Sequence, residues 1–350
     1  MGVLIGIDPH KSVNAAAAID EQGELAGHET FPANRKGLRA LQRWAKRFPE
    51  RRWAVAGSRR YRPSRGSAAR HGGREGSGCP AQTLLESQAS LYGKRPQKND
   101  RLDATFTAQA ALHNERLAPV LSEDGDDAHV EVLRLLTERR EDLVAERTRA
   151  LNRLHVLLRD LLSDTVSKQL CADAASRLLR RVRPRDEPAR TRKQLASEVV
   201  RDVRALDRRI ADLDERIRQE VEASGTTLTE IFGVGPILAA KIVGIVGNVG
   251  RFPSKAHFAS YAGVAPIEAS SGEVVRHRLS LAGNRRLNQV MHMIAVCQAR
   301  SDPRGGAYHR KKLAEGKSRR EAMRCLKRRV SDAVFGSLVA DSARASLESA

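Results

Sequence analysis

Paired cysteines are missing from this chain. Cys79, Cys171, Cys297 and Cys325 lie far apart and form no C-x-x-C. Their spacing argues against a zinc site and against a disulfide framework, and it fits a reducing cytosol. Long apolar runs are missing as well. No stretch of roughly 18 apolar residues occurs, so no membrane-spanning helix and no membrane partner are expected. The N-terminus lacks the basic-then-apolar pattern of a secretory signal.

Acidic charge is also in short supply. The 350 residues hold 62 Lys plus Arg against 42 Asp plus Glu, a formal net charge of +20. An excess of that size points to a polyanionic partner, nucleic acid first of all, and to a cytoplasmic, nucleoid-associated protein. The charge is clustered: residues 300–329 carry twelve Lys or Arg against Asp302, Glu315 and Glu321. Solubility alone does not require so local a surplus.

Against this basic background three aspartates stand out. Asp8 ends the apolar run Val3-Leu4-Ile5-Gly6-Ile7, and Asp100 and Asp103 sit one helical turn apart in K-N-D-R-L-D-A. A carboxylate at the tip of a buried strand, facing an i, i+3 pair on a helix, can hold one or two hard divalent cations. Such centres cut or join phosphodiesters by stabilising charge on the attacking and leaving oxygens. Singly, each element is ordinary: Asp after a short strand is a common cap, and D-x-x-D a common solvated helix face.

The pattern around them predicts strands at 3–8, about 12–19 and about 24–31, a helix at about 35–47 and a strand at 52–57. That order indicates an α/β domain on a mixed sheet, spanning 1–120. Residues 58–80 break the pattern, with almost no bulky apolar residue and no period, where a compact domain would place a helix and a strand. From about 128 to 222 the chain reads as a helical, coiled-coil spacer. Leu195, Val199, Val203, Leu206, Ile210, Leu213, Ile217 and Val221 form a heptad-like seam, after a break around Pro184 and Pro188.

A third, mainly α unit is expected at 226–345. Its first segment, with Gly233-Val234-Gly235-Pro236, resembles a helix-hairpin-helix element whose glycines let a phosphate approach backbone N–H groups. Candidate nucleic-acid contacts are Lys11, Gly233, Gly235, Lys241, Arg276, Arg278, Arg285 and Arg286. Ser270-Ser271-Gly272 lies among Tyr261, Arg276, His277, Arg278, Arg285 and Arg286. A serine hydroxyl beside guanidinium groups can attack a phosphodiester, because the arginines neutralise the phosphate and the developing charge.

The ordered motifs are G-I-D-P-H-K, W-A-V-x-G, K-N-D-R-L-D-A, F-G-V-G-P, F-A-S-Y-A-G-V-A-P-x-x-x-S-S-G and G-N-R-R-L-N. Together they resemble bacterial insertion-sequence transposases that join a RuvC-like (RNase H-like) DEDD domain to a serine-containing C-terminal domain, relatives of the Piv invertase. The resemblance covers nearly the whole chain. It implies that Asp8, Asp100 and Asp103 are the first, third and fourth acids of a Mg²⁺ site. It further implies that Ser271 forms a covalent link to DNA, with Ser270 its neighbour. Similar proteins use a structured guide RNA to bridge donor and target DNA. They assemble as dimers that pair into tetramers, the acids of one protomer meeting the serine of another.

One departure bears on chemistry. The family's second acid, a glutamate in W-A-V-E-G, corresponds here to Ala56, and neither Glu75 nor Glu86 has a strand-end context to replace it. Loss of one carboxylate is expected to lower metal affinity and turnover. A pair of compensating frameshifts in a GC-rich gene would explain both Ala56 and residues 57–80. Translation of the coding DNA in the other frames tests this: without an amphipathic helix followed by an apolar strand, the idea fails. Two other readings compete with the transposase: a metal-dependent RuvC-like nuclease on branched DNA, and a catalytically dead nucleic-acid-binding remnant.

Overall fold

The first strand forms because apolar, largely β-branched residues supply both of its faces with something to bury. β1 (Val3–Pro9) pairs antiparallel with β2 (Val13–Ile19), and β2 with β3 (Leu25–Pro32). The computed structural model describes residues 2–56, 76–79, 100–113, 118–119, 127–162, 167, 170–268, 277–278 and 283–348. Helix α1 (Arg35–Ala45) opens on Asn34, whose side-chain oxygen accepts from the Gly37 amide at 2.9 Å. β4 (Arg51–Ala56) returns parallel to β1. β5 (Gly76–Cys79) is parallel to β4, α2 (Asp100–Leu112) follows, and β6 (Ala118–Pro119) pairs antiparallel with β5.

The sheet order β3-β2-β1-β4-β5-β6 joins an antiparallel meander to parallel strands, the mixed sheet expected of the first domain. The strands and the helix expected up to residue 57 are present within two residues of their expected bounds. β5 is a strand where the composition signalled none. Its Gly-Ser-Gly-Cys backbone is paired with β4, and a main-chain ladder makes no demand on side-chain type. Residues 57–75, the greater part of the irregular stretch, lie outside the described residues.

The sheet is covered on both faces. Ile5, Ile7, Ala16, Ala18 and Val55 pack with Leu41, Trp44 and Ala45 of α1. On the other face Leu4, Ile19 and Ala54 pack with Ala108 and Ala111 of α2.

Residues Met1–Glu123 form one compact unit and Asp124–Ala350 a second. In the second, α3 (Asp127–Leu161) runs beside α5 (Glu187–Ala223), with α4 (Ala172–Arg181) at one end. Pro188 sits in the first turn of α5, where its missing N–H has no intrahelical acceptor to lose. Arg140–Asp214 and Arg147–Asp207 ion pairs join α3 to α5. The seam expected on α5 is buried at Val199, Val203, Leu206, Leu213, Ile217 and Val221, but Leu195 is 45 % exposed and Ala196 is buried instead. A straight helix drifts against a strict heptad by about 20° per repeat, which moves the contact by one residue at this end.

The C-terminal elements are a 3₁₀ turn (Thr227–Glu230), α6 (Pro236–Val246), a 3₁₀ turn (Val249–Arg251) and α7 (Lys255–Tyr261). They continue with β7 (Ile267–Glu268) paired to β8 (His277–Arg278), then α8 (Arg285–Ser301), α9 (Pro303–Ala314) and α10 (Arg319–Glu348). The first limb before Gly233 is thus a 3₁₀ turn rather than an α-helix, held by Asp341, which accepts from the Thr227 amide at 3.0 Å. One core joins Leu133, Leu136 and Leu143 of α3 and Ile217 of α5 to Ile242, Met291, Ile294, Leu326, Val330 and Val334. Among the described residues no helix is long and apolar enough to cross a membrane.

Candidate active site

Small residues bring α2 down onto the sheet. A Cβ on Gly6 would stand 2.3 Å from the Ala104 carbonyl oxygen and 2.6 Å from the Ala108 nitrogen, so only glycine permits this approach. Ala15, Ala17 and Ala104 make a fully buried cluster beside it. This explains a strand built from alanine, a residue with weak β preference: anything larger in β2 would lift the helix.

Side chains alternate along a strand, so Asp8 shares with Leu4 and Gly6 the face that meets α2. Ala15 pairs with Asp8 across β1 and β2, and Ala15 also touches Ala104. At the other end, Leu4 packs with Ala108 and Ala111. Helix α2 therefore runs antiparallel to β1 and starts at the Asp8 end. The structure brings Asp8 and Asp103, the neighbour of Ala104, to the same end of one strand–helix pair. Asp103 is half-buried, and its carbonyl accepts from the Thr107 hydroxyl at 2.8 Å. Asp100 is the first residue of α2, and its side chain lies outside the described residues.

Ile7 pairs with Val55 between parallel β1 and β4, and Ala54 belongs to the cluster facing α2. Ala56 is consequently on that face, beside Asp8, and it is buried at 7 % exposure. His10 is a further participant. Its Nε2 lies 3.0 Å from Asp8 Oδ2, with the Asp8 side chain 17 % exposed. The signal for it was available in D-P-H, which sets a histidine two residues past Asp8, just beyond the end of β1.

Carboxylate oxygens such as those of Asp8 and Asp103 are the right donors for a hard divalent cation, and Ala56 contributes none. Among the described residues no group of three or more His, Cys, Asp or Glu side chains is gathered as a metal cage. The donor chemistry fits a divalent metal, with the charge of the set reduced.

The basic candidates fall into two groups. Lys11 and Arg285 are exposed. Gly233 adopts φ 85°, and Gly235 caps α6 with open space where a Cβ would be. Lys241 and Arg286 are instead engaged by α3: Lys241 Nζ lies 2.9 Å from Glu141, and Arg286 pairs with Glu138 at 3.1 Å and Glu141 at 2.8 Å. Glu138 is shared further with Arg134, a guanidinium whose pKa is raised first by its bond to Glu131. Ser270, Ser271, Gly272 and Arg276 lie outside the described residues, as does the side chain of Arg278. In sequence, both serines fall between β7 and β8.

The two ends of that hairpin are tied together. The Asn284 amide donates to the Tyr261 carbonyl at 2.7 Å, and Asn284 Nδ2 to the Tyr261 hydroxyl at 3.0 Å. Asn288 Nδ2 donates to the Ala262 carbonyl at 3.0 Å and the Gly263 carbonyl at 2.8 Å. A Cβ on Gly283, which adopts φ 98°, would stand 2.8 Å from the Gly263 nitrogen. The Arg251 guanidinium lies 4.6 Å from the Tyr261 ring centre and 4.5 Å from that of Phe252. Sequence reasoning singled out the arginines of G-N-R-R-L-N, whereas its asparagines make the structural contacts. An i, i+4 asparagine pair was the one available hint.

The mixed-sheet domain and the helical unit that follows it each match a known transposase family. Residues 5–162 match the DEDD transposases of the IS110 type, and residues 225–310 match the transposase family IS116/IS110/IS902. The uncharacterized 44.8 kDa protein of insertion element IS116 from Streptomyces clavuligerus is 27 % identical over 381 residues, covering 96 % of this chain and 94 % of that protein. The uncharacterized 42 kDa protein of insertion element IS900 from Mycobacterium paratuberculosis is 30 % identical over 298 residues, covering 71 % and 73 %. Among solved structures, T. thermophilus RuvC in complex with Holliday junction substrate has a TM-score of 0.26 and 13 % identity, covering 34 % of this chain and 99 % of that one. The chain belongs to the IS110/IS116 family of insertion-element transposases.

Proposed function

We propose that this transposase recombines donor and target DNA with Ser271 as nucleophile and with Asp8, Asp100 and Asp103 holding Mg²⁺. The reading is supported by Asp8 near the end of β1 and Asp103 near the start of α2, the helix packed against that strand. The net charge of +20 supports a nucleic-acid partner through phosphate contacts.

Bound Mg²⁺ would supply charge compensation at the reacting phosphate. The chain's own part is attack and positioning. Ser271 Oγ bonds to phosphorus, the P–O bond to the departing sugar breaks, and the sugar oxygen gains a proton as the serine loses one. Strand exchange reverses these bonds on the partner strand, returning the proton to Ser271. Arg276, Arg278 and Arg285 neutralise phosphate oxygens around the hairpin. A structured guide RNA would select sequence by base pairing, while the protein's basic surface supplies affinity without sequence choice. A dimer or tetramer in the cytoplasm would bring the acids of one protomer to the serine of another.

Trapping tests the assignment. Protein, guide RNA and DNA should yield a covalent protein–DNA adduct that Ser271→Ala abolishes, and an adduct indifferent to that change would remove Ser271 from the mechanism. Ala56 beside Asp8 favours a second reading, a nucleic-acid-binding protein without turnover. That reading expects DNA binding with neither adduct nor cleavage at any Mg²⁺ concentration.

A further inference from the structure

Lys327 is a charged side chain with no carboxylate partner among the described residues. It lies on α10 at 8 % exposure, and burial pushes its ammonium pKa down. Its Nζ donates to Asn288 Oδ1 at 2.7 Å, its one hydrogen-bond partner among the described residues. A buried ammonium held by a single neutral acceptor is unfavourable for folding, since desolvation is only partly offset. Packing alone would favour methionine or leucine at this position. The lysine therefore serves what Asn288 does.

Asn288 has a divided task. Both protons of its amide nitrogen go to the Ala262 and Gly263 carbonyls, so its oxygen must face away from them, toward α10. An ammonium carries donors only, and it accepts no bond. It fixes the amide in that one orientation and penalises the flipped one, in which the NH₂ group would face a cation. The two carbonyls thus held belong to the residues that follow α7, four and five positions ahead of β7, and Asn284 closes the other end on Tyr261. With strands of only two residues each, β7 and β8 contribute little stability of their own. The direction of the hairpin is set at its root.

We propose that Lys327 is a positioning residue: through Asn288 it latches the root of the hairpin between Gly263 and Gly283, the root from which, in sequence, the segment with Ser270 and Ser271 departs. The latch is defined by described contacts, while its catalytic consequence rests on the proposed role of Ser271.

Hydrogen exchange on the full-length protein separates the two. In Lys327→Met, amides of residues 261–263 and 283–288 should exchange about tenfold faster, the expected consequence of losing roughly one hydrogen bond's worth of local protection. Amides of α3 should be unchanged and the melting temperature should not fall. Asn288→Asp is the second variant. It converts the Lys327 contact to an ion pair but deletes the donors to Ala262 and Gly263, and root exchange should rise despite the stronger pair. Wild-type protection of the root in either variant would overturn the latch. In the trapping assay, Lys327→Met should slow adduct formation at saturating DNA while leaving DNA affinity within about twofold. Loss of affinity with an unchanged rate would instead make Lys327 a phosphate contact and overturn the positioning role. If Ser271→Ala leaves adducts intact, the nucleophile assignment fails and the exchange result still decides the latch.

Discussion

Ala56 stands beside Asp8 at the ends of two parallel strands, one step beyond the Ile7–Val55 pair and on the face covered by α2. A carboxylate at position 56 would enter the wall where the family resemblance places an acid. Ala56→Glu is therefore expected to tighten Mg²⁺ or Mn²⁺ binding by on the order of tenfold or more, because affinity for hard cations rises with ligand charge. Isothermal titration of wild type and variant measures it. Equal affinities would mean that Asp8 and α2 do not share a cation.

The helix-to-sheet contact makes its own demand. Gly6→Ala would place a methyl 2.3 Å from the Ala104 carbonyl, so α2 must shift or the strand must bend. The expected loss is about 1–3 kcal/mol by urea denaturation. Metal affinity should drop with it, since α2 carries Asp100 and Asp103. A variant as stable as wild type would show that the seam is looser than described.

Much of this architecture was legible from the residues. Val3–Ile7 reads as a doubly covered strand, and the α5 seam needs only periodicity. β5 was not legible, because Gly-Ser-Gly-Cys enters the sheet through its backbone and carries no pattern. Nor were the partners of Lys241 and Arg286: Glu138 and Glu141 are 100 to 148 residues away in sequence and meet them only through packing. For the site, Asp8 and Asp103 were visible as chemistry. The close approach of α2 to β1 depends on Gly6 and the alanines of β2, which look like filler until the helix is seen against them.

Those α3 glutamates act as internal counter-charges. Replacing both Glu138 and Glu141 by Gln should free Lys241 and Arg286 for phosphate, raise non-specific duplex affinity and steepen its salt dependence by about one to two in log–log slope. Fluorescence anisotropy over a salt series provides the check. An unchanged slope would exclude both cations from the nucleic-acid surface.

Asp341 links stability to pH. Burial pushes its carboxyl up, but the bonds from Thr227 and Thr226, with Arg344 beside it, outweigh burial and hold it below the usual carboxylate range. A depressed folded value means the contribution is complete above the unfolded pKa of about 3.9 and is lost as pH falls through the folded one. Asp341→Ala should cost about 1–3 kcal/mol at neutral pH, with the difference from wild type shrinking in acid. Denaturation at pH 7 and pH 3 compares the two, and a gap that widens in acid would contradict the sign.

The seam between β1, β2 and α2 is made by main-chain atoms and methyl groups, and position 56 lies on the neighbouring strand β4. A lineage that loses the acid there keeps the seat prepared for it. Alanine and glutamate codons can differ by a single base, so descent can mislay the chemistry of this centre and recover it without rebuilding the scaffold.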